Sequence, residues 1–167
     1  LDKAAEVRLV LMKENAADDV DLSAHPKTTF ATEGTFAYTG TYTPSAGATD
    51  LAFDVADGTM TYAGAVGGAT RLVVTGTAQG RLVLTGANTA TGGLAADAAT
   101  VVFASAAAVP PKGPLALTRH ARLDFEDEQD LGALVPRVAA GSDGLLVVCR
   151  PTEQTADLDL TGKPGLV

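Results

Sequence analysis

Two histidines, one cysteine and a run of carboxylates are the side chains of this sequence that could do chemistry. His25 lies in a polar loop before Pro26. His120 lies between Arg119 and Ala121, and nothing in the sequence places either histidine beside a nucleophile or a second metal ligand. A hydrolytic triad or a histidine-rich zinc site requires such a neighbour. Both histidines are therefore interpreted as surface or turn residues, and no catalytic residue is predicted.

Cys149 lies in the apolar run 145–150, next to Arg150. A catalytic thiol needs an accessible, electropositive setting, whereas a cysteine within an apolar strand is usually buried and inert. The pattern favours a buried structural thiol. Because it is the only cysteine, an internal disulfide and an all-cysteine metal site are both excluded.

An acidic run places five carboxylates within the seven residues 124–130. Clustered oxygen ligands suit Ca²⁺, but the spacing does not match the EF-hand loop, and no glycine stands at its turn position. The run is interpreted as a solvated acidic turn. It supplies weak candidates for a cation site, and no cofactor is predicted; the candidates are Asp124, Glu126, Asp127, Glu128 and Asp130.

Charge and hydropathy exclude two classes of partner. The net charge of −8 disfavours non-specific binding to nucleic acid or to anionic lipid. No apolar run approaches the roughly 18 residues of a membrane helix, and the best candidate, 98–109, stops at two prolines. The glycine pairs do not have the spacing of a phosphate-binding loop and are interpreted as turns and bulges. We therefore predict no nucleic-acid partner and no membrane insertion.

The uneven distribution of charge along the chain indicates which kind of secondary structure carries the candidate residues. Residues 1–30 carry ten charged side chains and 115–167 carry fourteen, whereas the 84 residues between them carry eight. A solvated helix needs more charge than this on its outer face, and threonine suits a pleated surface. The middle region is predicted to be β-sheet covered by Thr and Ala. Alternation over 35–42 supports this, with Phe36 and Tyr38 on one face.

A first β-hairpin is predicted around the Asp57-Gly58 pair, because both residues tolerate positive φ in a two-residue turn. This turn pairs Val55 with Met60, so that apolar residues face each other. It also pairs Phe53 with Tyr62, Asp54 with Thr61, and Ala56 with Thr59.

A second hairpin is predicted from the similar segments 71–76 and 81–86, which start ten residues apart. A loop at 78–80 pairs Val74 with Leu84 and Thr75 with Val83. Because the similarity occurs only twice, it is interpreted as the spacing of antiparallel strands and not as a solenoid repeat; chance recurrence in a biased composition is the alternative.

Further strands are predicted at 7–12, 100–104, 122–125, 145–150 and 157–160. The first of these also contains many helix formers, so a helix remains its alternative. A short helix is predicted within 127–135, ended by Pro136. Three prolines within 109–114 form the clearest break in the chain.

These elements predict an all-β fold, an antiparallel β-sandwich or flattened barrel of about eight to ten strands with a C-terminal extension. The expected organisation is a body over 1–109, a proline-rich linker over 110–114 and strands or an arm over 115–167. The last segment is expected to add a strand to the sheet edge of a neighbouring molecule. Its alternative is that these strands complete the sheet of their own chain.

The composition favours a non-enzymatic structural or assembly protein, either a virion component or an extracellular surface domain. Such a protein would contact other protein subunits and form a homo-oligomer or larger assembly. The alternative is a β-barrel carrier of a small apolar ligand. Its cavity would be lined by Phe36, Tyr38, Tyr42, Phe53 and Tyr62.

Overall fold

A computed structural model describes residues 6–12, 15–21, 23–25, 27–40, 42–43 and 48–151. Apart from short helical turns, its regular structure is β. The strands are β1 (Val7–Leu11), β2 (Asn15–Ala16), β3 (Val20–Asp21), β4 (Thr28–Thr32), β5 (Phe36–Tyr38), β6 (Tyr42–Thr43), β7 (Asp50–Val55), β8 (Gly58–Tyr62), β9 (Arg71–Gly76), β10 (Gly80–Leu84), β11 (Leu94–Asp97), β12 (Thr100–Phe103), β13 (Leu115–Thr118), β14 (Arg122–Gln129) and β15 (Leu145–Pro151). The helical turns are α1 (Leu131–Leu134) and the 3₁₀ turns Ala106–Ala108 and Val135–Arg137.

The strands form a β-solenoid of about six turns, and every pair of neighbouring strands is parallel. The first sheet has the order β1-β4-β7-β9-β11-β13. The second has the order β15-β14-β12-β10-β8-β5-β2, and β3 pairs with β6 on a third side. Each coil of the chain passes through the first sheet and then the second. Paired residues are 21–24 apart at most rungs and 19 apart between β10 and β12.

The predicted all-β class is correct, but the predicted antiparallel sandwich or barrel is wrong. Alternation of apolar and small residues identifies a strand with one buried face, and this holds for β7, where Leu51, Phe53 and Val55 are buried. Alternation does not determine which strand is the neighbour. The neighbour lies one coil away, about 22 residues along the chain, and not across the nearest turn.

The hairpin predicted at Asp57-Gly58 is therefore wrong. The turn leads from β7 in the first sheet to β8 in the second, so the two strands face each other across the core. Phe53 and Tyr62 do meet, with ring centroids 5.2 Å apart in an edge-to-face arrangement. Their ladder partners, however, are Val74 and Leu84 in the next coil.

The second predicted hairpin is wrong for the same reason. The similar segments starting at Arg71 and Arg81 are β9 and β10, which lie in the two different sheets of one coil. Their ten-residue spacing is the distance from one sheet to the other. The interpretation against a solenoid is wrong, because the repeat is one coil of 19–24 residues, about twice this spacing.

Columns of apolar side chains fill the interior along the solenoid axis. One column in the first sheet is formed by Leu51, Leu72, Leu94 and Leu115, and each of these leucines is at most 2 % exposed. In the second sheet Phe103 stacks on Phe125 with ring centroids 5.1 Å apart. This burial of apolar area is the main contribution to the stability of the fold.

The corner between the two sheets depends on glycine at two aligned positions. Gly58 has φ +135°, a value that a side chain disfavours. Its neighbour in the next coil is Gly80, where an added Cβ would lie 1.6 Å from the carbonyl oxygen of Val55. The Asp-Gly pair was thus correctly identified as a turn, although it turns a corner and does not close a hairpin.

The proline-rich segment 110–114 runs between two coils of the solenoid. Arg137, in the following coil, donates from Nε to the Gly113 carbonyl at 3.1 Å and from Nη2 to the Pro110 and Lys112 carbonyls at 2.7 and 3.1 Å. After it, β13 and β14 pair with β11 and β12 of the same chain. The predicted division into body, linker and arm is not tested by these pairings, and contact of 115–167 with a neighbouring molecule stays a prediction.

Four of the five further strands are present, as β1, β12, β14 and β15, so the helical alternative for 7–12 is wrong. The strand predicted at 157–160 lies outside the described residues. The predicted helix is shorter than expected, because β14 continues to Gln129 and Asp130 caps α1 by accepting a hydrogen bond from the Gly132 amide at 2.8 Å. Within the described residues, no helix has the length and apolar character needed to cross a membrane.

Candidate functional site

The two histidines lie at opposite ends of the solenoid. His25 precedes β4, and His120 follows β13, four rungs away, which is about 19 Å at ~4.8 Å per rung. The carbonyl of His25 accepts a hydrogen bond from the Thr28 hydroxyl at 3.1 Å. The exposed His120 has φ +60°, and its amide donates to Asp143 Oδ1 at 3.2 Å. The structure does not bring the two histidines together. His120 lies in an exposed turn, as predicted, whereas His25 lies in an irregular segment and is half-buried, and its Nδ1 is buried with no hydrogen-bond partner among the described residues.

The acidic run does not converge on one point. Asp124 lies on the outer face of β14 and accepts a hydrogen bond from Arg122 Nε. Asp127 instead accepts from the Ala106 amide at 3.2 Å, and Asp130 caps α1. A register shift between Phe125 and Glu128 redirects the strand in the middle of the run.

Glu126 and Glu128 are the remaining two carboxylates of the acidic run. Glu126 Oε1 lies 3.8 Å from Arg81 Nη2, and Glu128 pairs in register with Arg150. In the part of the chain that the structure describes, no three His, Cys, Asp or Glu side chains form a group that could hold a metal ion. Cys149 is part of β15, the last strand of the second sheet, and its role as a structural thiol stays a prediction.

Four of the five aromatic residues proposed for a ligand cavity, Tyr38, Tyr42, Phe53 and Tyr62, form ring contacts in a cluster around Phe30, and Phe36 packs against the core. The ring centroids of Tyr38 and Tyr62 are 5.9 Å apart, and those of Phe30 and Tyr42 are 5.2 Å apart. Tyr38, Phe53 and Tyr62 are buried, whereas Phe36 and Tyr42 are half-buried. The barrel expected around a ligand is absent from the described fold, while ligand binding by these residues is untested.

An open groove of about 450 Å³ lies at the beginning of the first sheet's strands. One of its carboxylates, Asp50, forms a bidentate pair with Arg71, with distances of 3.0 Å to Nε and 2.8 Å to Nη2. The groove is lined by Glu6, Lys27, Thr28, Thr29, Thr49, Asp50 and Ala52. Its hydroxyls and charged groups could hydrogen-bond a small polar molecule, but it lies far from His120 and Cys149.

The outer face of the first sheet carries the most regular surface feature. One residue from each of five successive strands forms a straight column, with each member in register with the next. All five are partly exposed and none is larger than valine. We call this column the small-residue face; it consists of Thr29, Ala52, Val73, Ala95 and Ala116.

Three ion pairs border the small-residue face. On one side lies the Asp50–Arg71 pair. On the other, Arg8 reaches Asp54 at 2.9 Å, two rungs away.

The third pair, Asp97–Arg119, lies on the same side as Asp54. Asp97 also accepts a hydrogen bond from the Thr118 hydroxyl at 2.9 Å, and its contacts with Arg119 hold the pKa of this carboxyl below its usual value. The aspartates of these three pairs are thus neutralised within the chain, so covering them does not isolate their charges.

The small-residue face was not predicted from the sequence, because the predicted pairings joined strands adjacent in the chain and not residues one coil apart. The signal was nevertheless present, since Leu51, Leu72, Leu94 and Leu115 recur at intervals of 21 or 22 residues. A search for periods of 20–50 residues would have found it. Once the coil is known, the outward position after each inner leucine gives Ala52, Val73, Ala95 and Ala116.

The chain matches no protein-family model, no curated protein and no solved structure. The virion terms that the composition suggested are unsupported by the comparisons, and the sandwich with which they were associated is wrong.

Proposed function

We propose that this chain is a non-enzymatic structural or assembly protein that packs against other copies of itself. The observation that carries this proposal is the small-residue face bordered by paired charges. Small side chains on a sheet allow a second surface to approach closely. The expected setting at an extracellular surface stays a prediction, and the virion setting is not proposed.

The architecture supports this role because the solenoid has a continuous core. Its inner columns run from Phe30 to Leu117 in the first sheet and from Tyr38 to Phe125 in the second. Each coil contacts its neighbours through a complete ladder, so the described part resists bending as one body. A stiff body with a regular face suits the building of an assembly.

The size of the face limits what it can do alone. The outer face of the whole first sheet, which contains the small-residue face, is about 24 Å wide from six strands at ~4.8 Å spacing and about 13 Å long over four residues of each strand, hence roughly 300 Å². A stable interface buries about 800 Å² on each partner. The small-residue face therefore needs a second contact region to hold an assembly together.

The test is the mass of the full chain by sedimentation velocity over a range of concentrations. We expect the wild-type chain to associate and Ala95→Arg, within the small-residue face, to weaken this association. Ala107→Arg is the matched control, because Ala107 belongs to the same coil and is exposed on the third side of the solenoid. A wild-type chain that remains monomeric, or equal effects of the two arginines, would contradict the proposal.

A further inference from the structure

The free edge of the first sheet is the outer side of β1. The amide of Val7 donates to the Lys27 carbonyl at 2.8 Å, which shows that Val7 bonds toward β4. Bonding direction alternates along a strand in a parallel pair, so Leu9 and Leu11 also bond toward β4. Arg8 and Val10 therefore direct their backbone N–H and C=O groups away from the sheet. Among the described residues, no strand pairs with this edge.

This edge has few of the features by which proteins protect exposed strands. β1 contains no proline, and its one charged side chain, Arg8, is held by Asp54. Val7, Leu9 and Leu11 lie on the core side of β1, and Leu9 is only partly buried. Met12, which follows the strand directly, is 86 % exposed and is the one large apolar side chain classed as exposed in the described part of the chain.

We propose that β1 pairs antiparallel with β1 of a second copy, around a twofold axis at Leu9. In this register Leu9 faces Leu9 of the other copy, Val7 faces Leu11, and Arg8 faces Val10. Apolar residues on the core side meet apolar residues, and the two arginines do not face each other. The free groups of Arg8 and Val10 form two hydrogen-bonded pairs, which gives four backbone hydrogen bonds across the interface. A contact of this kind closes on itself and gives a dimer.

A second copy placed head to tail fits the described residues less well. Such a contact would join β1 to the opposite edge of the first sheet, where Leu115 is already bridged to Val138 and the amides of Ala139 and Asp143 donate to the β13 carbonyls of Leu115 and Leu117. At that edge the Ser142 hydroxyl already accepts a hydrogen bond from the Leu117 amide at 3.2 Å. The twofold arrangement needs only β1, which is a complete strand.

The twofold arrangement also avoids repulsion between the acidic residues of the first coil. The axis is perpendicular to the first sheet, so it places the third side of one copy opposite the second sheet of the other. Asp18, Asp19 and Asp21 then lie opposite β2 of the other copy and not opposite themselves. This inference rests on the proposed assembly function and names the second contact region that the small-residue face requires.

The first experiment replaces Val10, because its N–H points away from β4 and pairs with no strand among the described residues. Val10→Pro removes this donor at an edge position where proline is tolerated. Val10→Thr keeps the donor and is the control. We expect the proline variant to lose the dimer in sedimentation velocity while circular dichroism and Tm show a folded chain, and the threonine variant to remain dimeric.

A charge series gives a second readout that does not depend on proline. In the proposed register residue 10 faces Arg8 of the other copy. Val10→Glu should therefore tighten the dimer about 2- to 30-fold, through two symmetry-related exposed ion pairs, and Val10→Lys should weaken it by a similar factor. Both effects should shrink at high salt. Weakening by both charges would overturn this register, because it would indicate that residue 10 faces itself.

A crosslink tests the register directly. Leu9→Cys in a Cys149→Ser background should form a disulfide-linked dimer under oxidation, because residues facing each other in a non-hydrogen-bonded pair have Cα atoms about 4.5 Å apart. Val7→Cys in the same background should not, because Val7 lies four residues from its own copy in this register. Equal crosslinking of both variants would overturn the register.

The two variants distinguish failure of the β1 contact from failure of the proposed role of the small-residue face. If Ala95→Arg dissociates the assembly and Val10→Pro does not, the assembly function stands and the β1 contact is wrong. If Val10→Pro dissociates a dimer that Ala95→Arg leaves intact, the β1 contact stands and the role of the small-residue face is wrong. A monomeric wild-type chain contradicts both.

Discussion

The side-chain oxygen of Asn88 accepts a hydrogen bond from the backbone amide of Val66, 22 residues earlier and one coil away, at 3.0 Å. The amide nitrogen of the same side chain donates to the Ala108 carbonyl in the following coil. Asn88 is 7 % exposed. One buried side chain thus links three successive coils on the third side of the solenoid, where β3 and β6 are the only strands described.

Replacing Asn88 by alanine should lower the free energy of unfolding by about 2–6 kcal/mol. The substitution leaves a buried N–H and a buried C=O unpaired, and each such group costs about 1–3 kcal/mol. Urea denaturation measures the effect. Thr89→Ala is the control, since Thr89 is the exposed neighbour, and it should change the free energy by less than about 0.5 kcal/mol. Similar losses in the two variants would show that Asn88 does not act as a link.

Replacing Arg137 should loosen the proline-rich segment. Its guanidinium donates to three carbonyls within 110–113, and burial lowers its pKa. We expect Arg137→Met to speed tryptic cleavage after Lys112, measured by mass spectrometry under native conditions. Arg137→Lys should restore little protection, because a single ammonium cannot reproduce the planar fork of donors. Unchanged cleavage in the methionine variant would contradict the contact.

The tyrosines should ionise at a higher pH in the folded chain than in the unfolded chain. Burial raises the pKa of Tyr38, Tyr42 and Tyr62 above the usual value of 10.0, and these are all the tyrosines of the chain. A raised pKa in the folded state stabilises the fold below pH 10 and loses this effect as the pH rises further. Phenolate absorbance should therefore remain low through pH 10 in the folded chain and rise near pH 10 in urea. A folded-state tyrosine that titrates at or below pH 10 would contradict the packed aromatic cluster.

Asp97 should contribute to stability at neutral pH and lose this contribution in acid. Hydrogen bonds from Arg119 hold the pKa of Asp97 below its usual value of 3.8. A lowered folded-state pKa gives stability that is present above pH ~4 and disappears as the pH falls through the folded-state value. The Tm of wild type should exceed that of Asp97→Asn at pH 6, and the difference should close toward pH 2. A difference that is constant with pH would exclude this cause.

The strands could be predicted from local sequence patterns, whereas their neighbours could be found only from the recurrence of residues one coil apart. Alternation correctly gave the buried faces of β7 and β8, and low charge density correctly gave the β class. Pairing is a long-range property, however, and an Asp-Gly turn suits a corner between two sheets as well as a hairpin. The predicted register paired Val55 with Met60 across that turn, whereas the true partners lie one coil away.

The candidate surface could be predicted only after the coil was known. Ala95 and Ala116 are unremarkable residues in a chain rich in alanine, and only the ladder places them side by side. The contacts of Asn88 and Arg137 were also missed, because each joins segments 20–27 residues apart that no local pattern relates. The interpretation of His120 as a surface turn residue is confirmed, because it depended on local sequence alone, whereas the burial of His25 Nδ1 was not predicted.

The most direct test of the account is the pattern of cross-strand nuclear Overhauser effects in the isotopically labelled chain. A parallel solenoid predicts backbone contacts between residues one coil apart, such as Ala52 with Val73 and Val73 with Ala95. It also predicts no close pair of Cα protons between Val55 and Met60. Strong Cα-proton contacts between Val55 and Met60, or between Val74 and Leu84, would establish antiparallel hairpins and contradict the solenoid together with the surfaces derived from it.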